Sequence, residues 1–275
     1  MEPTDTPRFD ADFDPEALDR MIQQAADSLL PAELAPLADA ADQMLAQTRR
    51  IMGTVVEYKE LMMRYACAMK EMRTKFDVLN TEFNIRTQRN PIAFITTRLK
   101  RTASITDKLA RLGLPFSLES IEQNLNDVAG VRVICSYIDD IYTIADALLR
   151  QDDVTLIARK DYIAKPKPNG YRSLHLIVSI PVYFAESRWE MKVEVQIRTI
   201  AMDFWASLEH QLKYKQEIPN QQEIITQLRQ CAAVINQTDE KMLDIRQQIE
   251  EMADTPSEED ILFEKLSRLD LSVER

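Results

Sequence analysis

The chain has 275 residues, long for one core and short for two, since domains usually run to ~100–150 residues. Its 34 Lys and Arg stand against 45 Asp and Glu, a net charge of -11, which excludes the basic footprint of a general DNA-binding protein. The only glycines, at 53, 113, 130 and 170, fit neither G-x-G-x-x-G nor G-x-x-x-x-G-K-[ST], so dinucleotide and P-loop cradles are excluded and a phosphate site must lean on side chains.

The N-terminus is acidic, with Pro3, Pro7 and Pro15 among the acids, and residues 1–15 are expected to be disordered. Residues 16–90 read as N-terminal helices, with Met52, Met62, Met63, Met69 and Met72 forming an apolar stripe better suited to helix packing than to a ligand. Asn90 as N-cap, Pro91 in the first turn and Gly113 behind Leu112 then predict a helix of about twenty residues, and a short helix follows Ser117. VAGVRVICSY (128–137) and VTLIARK (154–160) read as strands around a helix that Asp139 caps and Leu149 ends, a β-α-β unit. The loop IAKPKPNGY leads into a further strand, on which Tyr171, Ser173 and His175 are expected to share a face. In MKVEVQIRT (191–199) strict alternation puts Val193, Val195 and Ile197 on one face and Glu194, Gln196 and Arg198 on the other. Thr199 caps the next helix, and 221–253 and 257–272 are helical. The predicted fold is α+β, a small mixed β-sheet enclosed by helices. Its parts are the N-terminal helices, a catalytic domain over 91–215 and C-terminal helices over 216–275 suited to oligomerisation.

Two histidines and three scattered cysteines do not make a Cys/His zinc cluster, and an odd cysteine count suggests a reducing compartment. No apolar h-region or run of ~18 apolar residues is present, so a soluble cytoplasmic protein is expected. Charge is uneven. Residues 91–215 hold 17 basic and 15 acidic side chains, whereas 216–275 hold 6 and 14. Within the middle, 98–111 carries five basic residues against Asp107, and 159–172 carries five against Asp161. On a helical wheel Lys100, Arg101, Ser104, Lys108 and Arg111 share an arc that leaves Arg98 outside. A solvated face would carry more balancing acids, so these strips suit polyanionic ligands such as triphosphates. Tyr171 on the rim of the second strip is either a base-stacking platform or part of the sheet edge. Asp127 at the mouth of one strand and Glu194 on another are the carboxylates placed to hold a divalent cation, a constellation for phosphoryl or nucleotidyl transfer.

The stretches RLKRTASITDK, NDVAGVRVICSYIDDIY, DYIAKPKPNGYRSLHL and VEVQIRTIAMDFWASLEHQLKYK together resemble the synthetase domain of the RelA/SpoT family, specifically its single-domain members, the small alarmone synthetases. That resemblance implies a nucleotidyltransferase-like synthetase fold and transfer of pyrophosphate from ATP to the 3′-hydroxyl of GDP or GTP, giving (p)ppGpp and AMP. It implies ATP contacts at Arg98, Lys100, Ser104, Lys108, Arg111 and Arg132, with Arg98 and Arg132 sandwiching the adenine. Asp127 would hold Mg²⁺, and Glu194 would act on the 3′-hydroxyl as base and share the metal. Tyr171 would stack on guanine, with Lys167, Asn169 and His175 on the acceptor side and Gln196 in support. His210 is read as helix packing. Long family members hydrolyse the product at a His-Asp pair, and no such dipeptide occurs here, so synthesis without hydrolysis is expected. Short members commonly form homotetramers. The competing readings are an inactive nucleotide-binding regulator on the same fold, and a polymerase-type nucleotidyltransferase, whose G-[SG]-x-x-D-x-D start is missing from the core.

Overall fold

A computed structural model describes residues 19–22, 24, 35–213, 221–252 and 262. The predicted disorder of 1–15, and all but residue 262 of the stretch 257–272, lie outside these. The chain divides into two compact units, Met1–Glu60 and Leu61–Arg275. In the first, helix α1 (Ala35–Thr87) begins, and Arg49 pairs with Asp19.

In the second unit α1 turns a regular stripe inward. Leu61, Tyr65, Ala68, Met72, Phe76 and Leu79 recur at spacings of three and four and are all buried. Each large side chain among them contributes ~1.5–3 kcal/mol relative to exposure. The expected methionine stripe is only partly this stripe, because Met69 and Met72 are buried while Met52 and Met63 are exposed. Lys75 holds Asp153 at 2.6 Å, and the Asn80 side chain accepts from the Ile92 backbone N–H at 3.1 Å, tying the helix to the start of the sheet.

The predicted twenty-residue helix from Pro91 is not there. In its place lie strand β1 (Ile92–Leu99) and helix α2 (Thr102–Arg111). Ile92, Phe94, Ile95, Thr96 and Thr97 are β-branched or aromatic residues that fit a pleated surface better than a helix. As an edge strand β1 buries little, so its alternation is weak in the sequence. After it follow α3 (Leu118–Asn124), β2 (Ala129–Cys135), α4 (Ile138–Leu149), β3 (Thr155–Asp161), β4 (Leu174–Tyr183), β5 (Arg188–Thr199), α5 (Ile200–Lys213) and α6 (Gln221–Met252). Tyr171 precedes β4 rather than starting it, and α4 begins one residue ahead of the expected Asp139 cap. Thr199 does cap α5, its Oγ1 accepting from the Met202 N–H at 3.1 Å.

The five strands run in the order β1-β2-β5-β4-β3, with β2 and β5 parallel and every other pair antiparallel. The β-α-β unit read from the sequence therefore does not join neighbours: α4 carries the chain from β2 to the far edge. Val131, Val133, Val193, Val195, Ile197, Leu174, Leu176 and Val178 are buried along the three central strands, and α4 packs on β2 and β5.

Three contacts fasten α6. Thr199 Oγ1 donates to Asp239 at 2.5 Å, Trp205 Nε1 donates to the Leu228 carbonyl at 3.1 Å, and Arg246 pairs with Asp139 at 2.5 Å. At Gly170, where φ is +92°, a Cβ would meet Ala232 Cβ at 2.5 Å, so only glycine lets the 165–172 loop lie against the helix.

Candidate functional site

Register brings the predicted site residues together. Arg98 lies opposite Gly130 and Gly130 opposite Glu194; one pair along, Thr96, Arg132, Gln196 and His175 form a second row across four strands. Directly opposed residues share a face, so all of these stand on one side of the sheet. Gly130 leaves the floor open between Arg98 and Glu194. Above it is a cavity of about 570 Å³ lined by Arg98, Asp127, Gly130, Arg132, Glu194 and Gln196, with Thr96, Thr97 and Val131 beside them.

Asp127, just ahead of β2, accepts from both lysines of the first basic strip: Lys100 Nζ at 2.8 Å and Lys108 Nζ at 2.7 Å. Burial raises its carboxyl, but the two lysines outweigh that and hold it below the usual carboxylate range. Lys100 reaches it from the β1–α2 turn, not from a helix, which overturns the single helical arc drawn through 98–111. Ser104, Lys108 and Arg111 do share a face of α2, while Arg98 stands on β1.

Glu194 is held by two donors. Gln196 Nε2 donates to Oε2 at 3.0 Å, and His175 Nδ1 lies 3.4 Å from Oε1. Burial raises this carboxyl too, yet His175 and Gln196 bring it below its ordinary value. His175 Nε2 is 2.8 Å from Tyr171 Oη, and that oxygen also receives Arg198 Nη2 at 2.9 Å. The Tyr171 hydroxyl is pushed up by burial against the pull of Arg198, so it keeps its proton. Arg198 further donates to Gln196 Oε1 at 2.9 Å and to Asp203 at 3.1 Å, and Arg132 reaches the same Asp203 oxygen at 3.4 Å.

The acceptor-side residues are arranged less as expected. The Tyr171 ring meets Tyr162, His175 and Trp205 at centroid distances of 6.0, 5.8 and 6.5 Å, with Lys167 Nζ 4.6 Å from its centre. Asn169 turns to α5, donating to Glu209 at 2.9 Å. Lys167 lines a second cavity of about 410 Å³ between its loop and α6, with Arg172 and Arg229. His210 is exposed on α5. Sequence reading missed Arg198 and Asp203 as site residues, although the alternation of β5 had already put Arg198 on the polar face.

The residues present fit a divalent cation. Asp127 and Glu194 line one cavity, which matches how Mg²⁺ is held by one or two carboxylates together with substrate phosphates. No group of three or more His, Cys, Asp or Glu able to hold a metal unaided occurs among the described residues.

Residues 97–219 match the family described as the region found in RelA / SpoT proteins. The GTP pyrophosphokinases YwaC and YjbM of Bacillus subtilis are 42% and 34% identical over 72% and 71% of this chain, and 94% and 91% of their own lengths are covered. Among solved structures, Bacillus subtilis small alarmone synthetase 2 superposes with a TM-score of 0.63 at 41% identity, over 70% of this chain and 99% of that one. Small alarmone synthetase 1 of the same organism, bound to its product pppGpp, gives 0.64 at 34% identity, over 70% and 98%. With this sheet, these motifs and these relatives, the chain belongs to the RelA/SpoT family, among its small alarmone synthetases.

Proposed function

We propose that the protein is a GTP pyrophosphokinase, transferring pyrophosphate from ATP to the 3′-hydroxyl of GDP or GTP and releasing AMP. The observation that carries this is the meeting of Asp127 and Glu194 on one cavity rimmed by Arg98 and Arg132, in a chain that covers nearly the whole length of two curated GTP pyrophosphokinases. Arg98 and Arg132 hold the adenine, while Lys100, Ser104, Lys108 and Arg111 face the phosphates of ATP. Tyr171 stacks on guanine, and Lys167, Asn169 and His175 hold the acceptor nucleotide with Gln196 in support.

Glu194, kept ionised by His175 and Gln196, takes the proton of the 3′-hydroxyl. The freed oxygen attacks the β-phosphorus, and the bond to the AMP oxygen breaks. Here catalysis is mostly positioning and charge stabilisation, which the cationic rim supplies. Mg²⁺, held by Asp127 and Glu194, would neutralise charge on the transferred phosphates. For Asp127 to face it, Lys100 and Lys108 must turn from the carboxylate to the phosphates.

The reaction is synthesis without hydrolysis, since no His-Asp dipeptide occurs in the sequence. The catalytic domain spans 91–215. A homotetramer is supported by Ile200, Phe204, Leu208 and Leu212, an exposed apolar row at i, i+4 spacing on α5. A cytoplasmic location agrees with the free cysteines Cys67, Cys135 and Cys231 and with the lack, among the described residues, of a helix long and apolar enough to cross a membrane. The test is incubation with ATP, Mg²⁺ and GDP or GTP, with products resolved by anion exchange. Equal amounts of AMP and a more highly phosphorylated guanine nucleotide are expected. Nucleotide binding without AMP would leave the inactive regulator instead.

A further inference from the structure

Four hydrogen bonds and one 3.4 Å contact, between His175 Nδ1 and Glu194 Oε1, close a ring of five side chains around Glu194: Arg198, Tyr171, His175, Glu194 and Gln196. Its two ends differ in kind. A guanidinium only donates and an ionised carboxylate only accepts, while Tyr, neutral His and Gln can do both. Arg198 Nη2 donates to Tyr171 Oη and to Gln196 Oε1, each at 2.9 Å. With the first bond in place, the arrangement that also turns a donor to the Glu194 carboxylate has the tyrosine O–H donating to His175 Nε2 and the imidazole proton on Nδ1, facing Glu194. The second fixes the amide of Gln196 so that Nε2 donates to Glu194. Both arms therefore run in one sense, from Arg198 to Glu194, and each bond polarises the next.

We infer that Arg198 is a positioning residue that sets the proton order around Glu194, fixing the His175 tautomer through Tyr171 and the Gln196 amide directly; this rests on the reading of Glu194 as base. Arg198 is 4% exposed, and Asp203, in the first turn of α5, anchors its other nitrogen. Its Nε has no hydrogen-bond partner among the described residues. An ion pair at this position is not required for stability alone, since apolar residues often do as well at buried ion-pair positions. What it supplies is direction. Without a donor-only group, the tyrosine hydroxyl can rotate and the glutamine amide can flip, and Glu194 loses the fixed donors that hold it toward the 3′-hydroxyl.

The test joins spectroscopy to kinetics. The chain has only two histidines, so long-range nitrogen-proton NMR of ¹⁵N-histidine protein resolves His175 from His210 once His175→Asn identifies the signal. At a pH where the ¹⁵N shifts report a neutral imidazole, the wild type is expected to carry the Nδ1–H tautomer at His175. Arg198→Gln, which offers an acceptor as well as a donor, should mix the tautomers and lower kcat by ~10²-fold with the KM for ATP unchanged. Arg198→Lys remains a pure donor and should keep the tautomer, with a loss of only roughly ten-fold in kcat. Tyr171→Phe cuts one arm only, so it should release the tautomer yet lower kcat less than Arg198→Gln does, and it serves if Arg198→Gln does not fold. An unchanged tautomer in Arg198→Gln or Tyr171→Phe, or equal losses for Lys and Gln, overturns the inference. Full turnover in Glu194→Gln would instead remove the base reading beneath it, whatever the tautomer does.

Discussion

Two clusters of arginine, carboxylate and tyrosine lie in the Leu61–Arg275 unit, and they differ in how charge is matched. One is a joint. Arg89 forms a two-pronged pair with Asp140 at 2.6 and 3.0 Å, Arg246 of α6 pairs with Asp139, and the Tyr137 ring lies 5.7 and 4.8 Å from the two guanidiniums. Each cation there has its own carboxylate. In the other, Lys100 and Lys108 share Asp127, and Arg132 and Arg198 share Asp203. Arg98 and Arg132 line the 570 Å³ cavity together with Asp127 and Glu194, and Lys100, Lys108 and Arg198 stand one contact behind them, so the cluster as a whole holds more cations than carboxylates. Balanced charge marks a place that holds the protein together, and unbalanced charge marks one that awaits an anion. The net charge of the whole chain conceals this, because its excess of acids lies largely outside 91–215.

The comparison is broken most directly at the joint. Asp140 is 2% exposed and Arg89 32%, so Asp140→Ala leaves a partly solvated guanidinium without its carboxylate and should cost ~2–3 kcal/mol of stability, less than one-sided removal of a fully buried pair. Denaturant unfolding measures it. If the cluster is only a joint, kcat and KM of the folded protein stay as they are. A variant of unchanged stability that loses activity would put the joint in the site.

The next largest effect is at the site itself. Glu194→Gln keeps the shape and removes the proton acceptor, so turnover should fall by ~100-fold or more, the scale of a lost general base. Stability should move by less than in Asp140→Ala, because Gln retains an acceptor for one of the two donors on Glu194. Rapid-quench measurement of AMP formation separates chemistry from binding, and a retained rate would remove Glu194 from the mechanism.

How much of this could be read from the residues depends on the distance over which each signal acts. The alternation in β5 and the Thr199 cap are local, and both stand in the structure as read. β1 reads as helix in the sequence because Asn90-Pro91 mimics a helix start, while an edge strand with one weakly buried face offers little alternation against it. The sheet order was hidden because α4 spans three strand positions, and no periodicity reports that. Arg198 and Asp203 lie five residues apart across the Thr199 cap, and their shared role depends on the turn from strand to helix bringing them to one ion pair at 3.1 Å. Asp127 and Glu194 were legible as isolated acids among cationic strips, whereas their common cavity depended on the parallel pairing of β2 with β5.

The smallest expected effect separates the clusters by pH. Lys100 and Lys108 hold the Asp127 carboxyl below its ordinary value, so its contribution to stability is fully present above the ordinary carboxylate range and is lost as pH falls through the depressed value. Burial pushes Asp140 the other way despite Arg89, so its contribution is present below that range and is lost as pH rises through the raised value. Asp127→Asn should therefore cost about 1 kcal/mol at pH 7, the size of a partly exposed ion pair, and progressively less as pH is lowered to about 3. Asp140→Ala should show the opposite trend on top of its constant loss of packing and hydrogen bonds. Unfolding midpoints of both variants and the wild type, measured between those limits, test the pair of signs. Parallel pH profiles for the two variants would mean that Asp127 is held as a structural carboxylate too, and that the two lysines on it are not free to turn to a nucleotide.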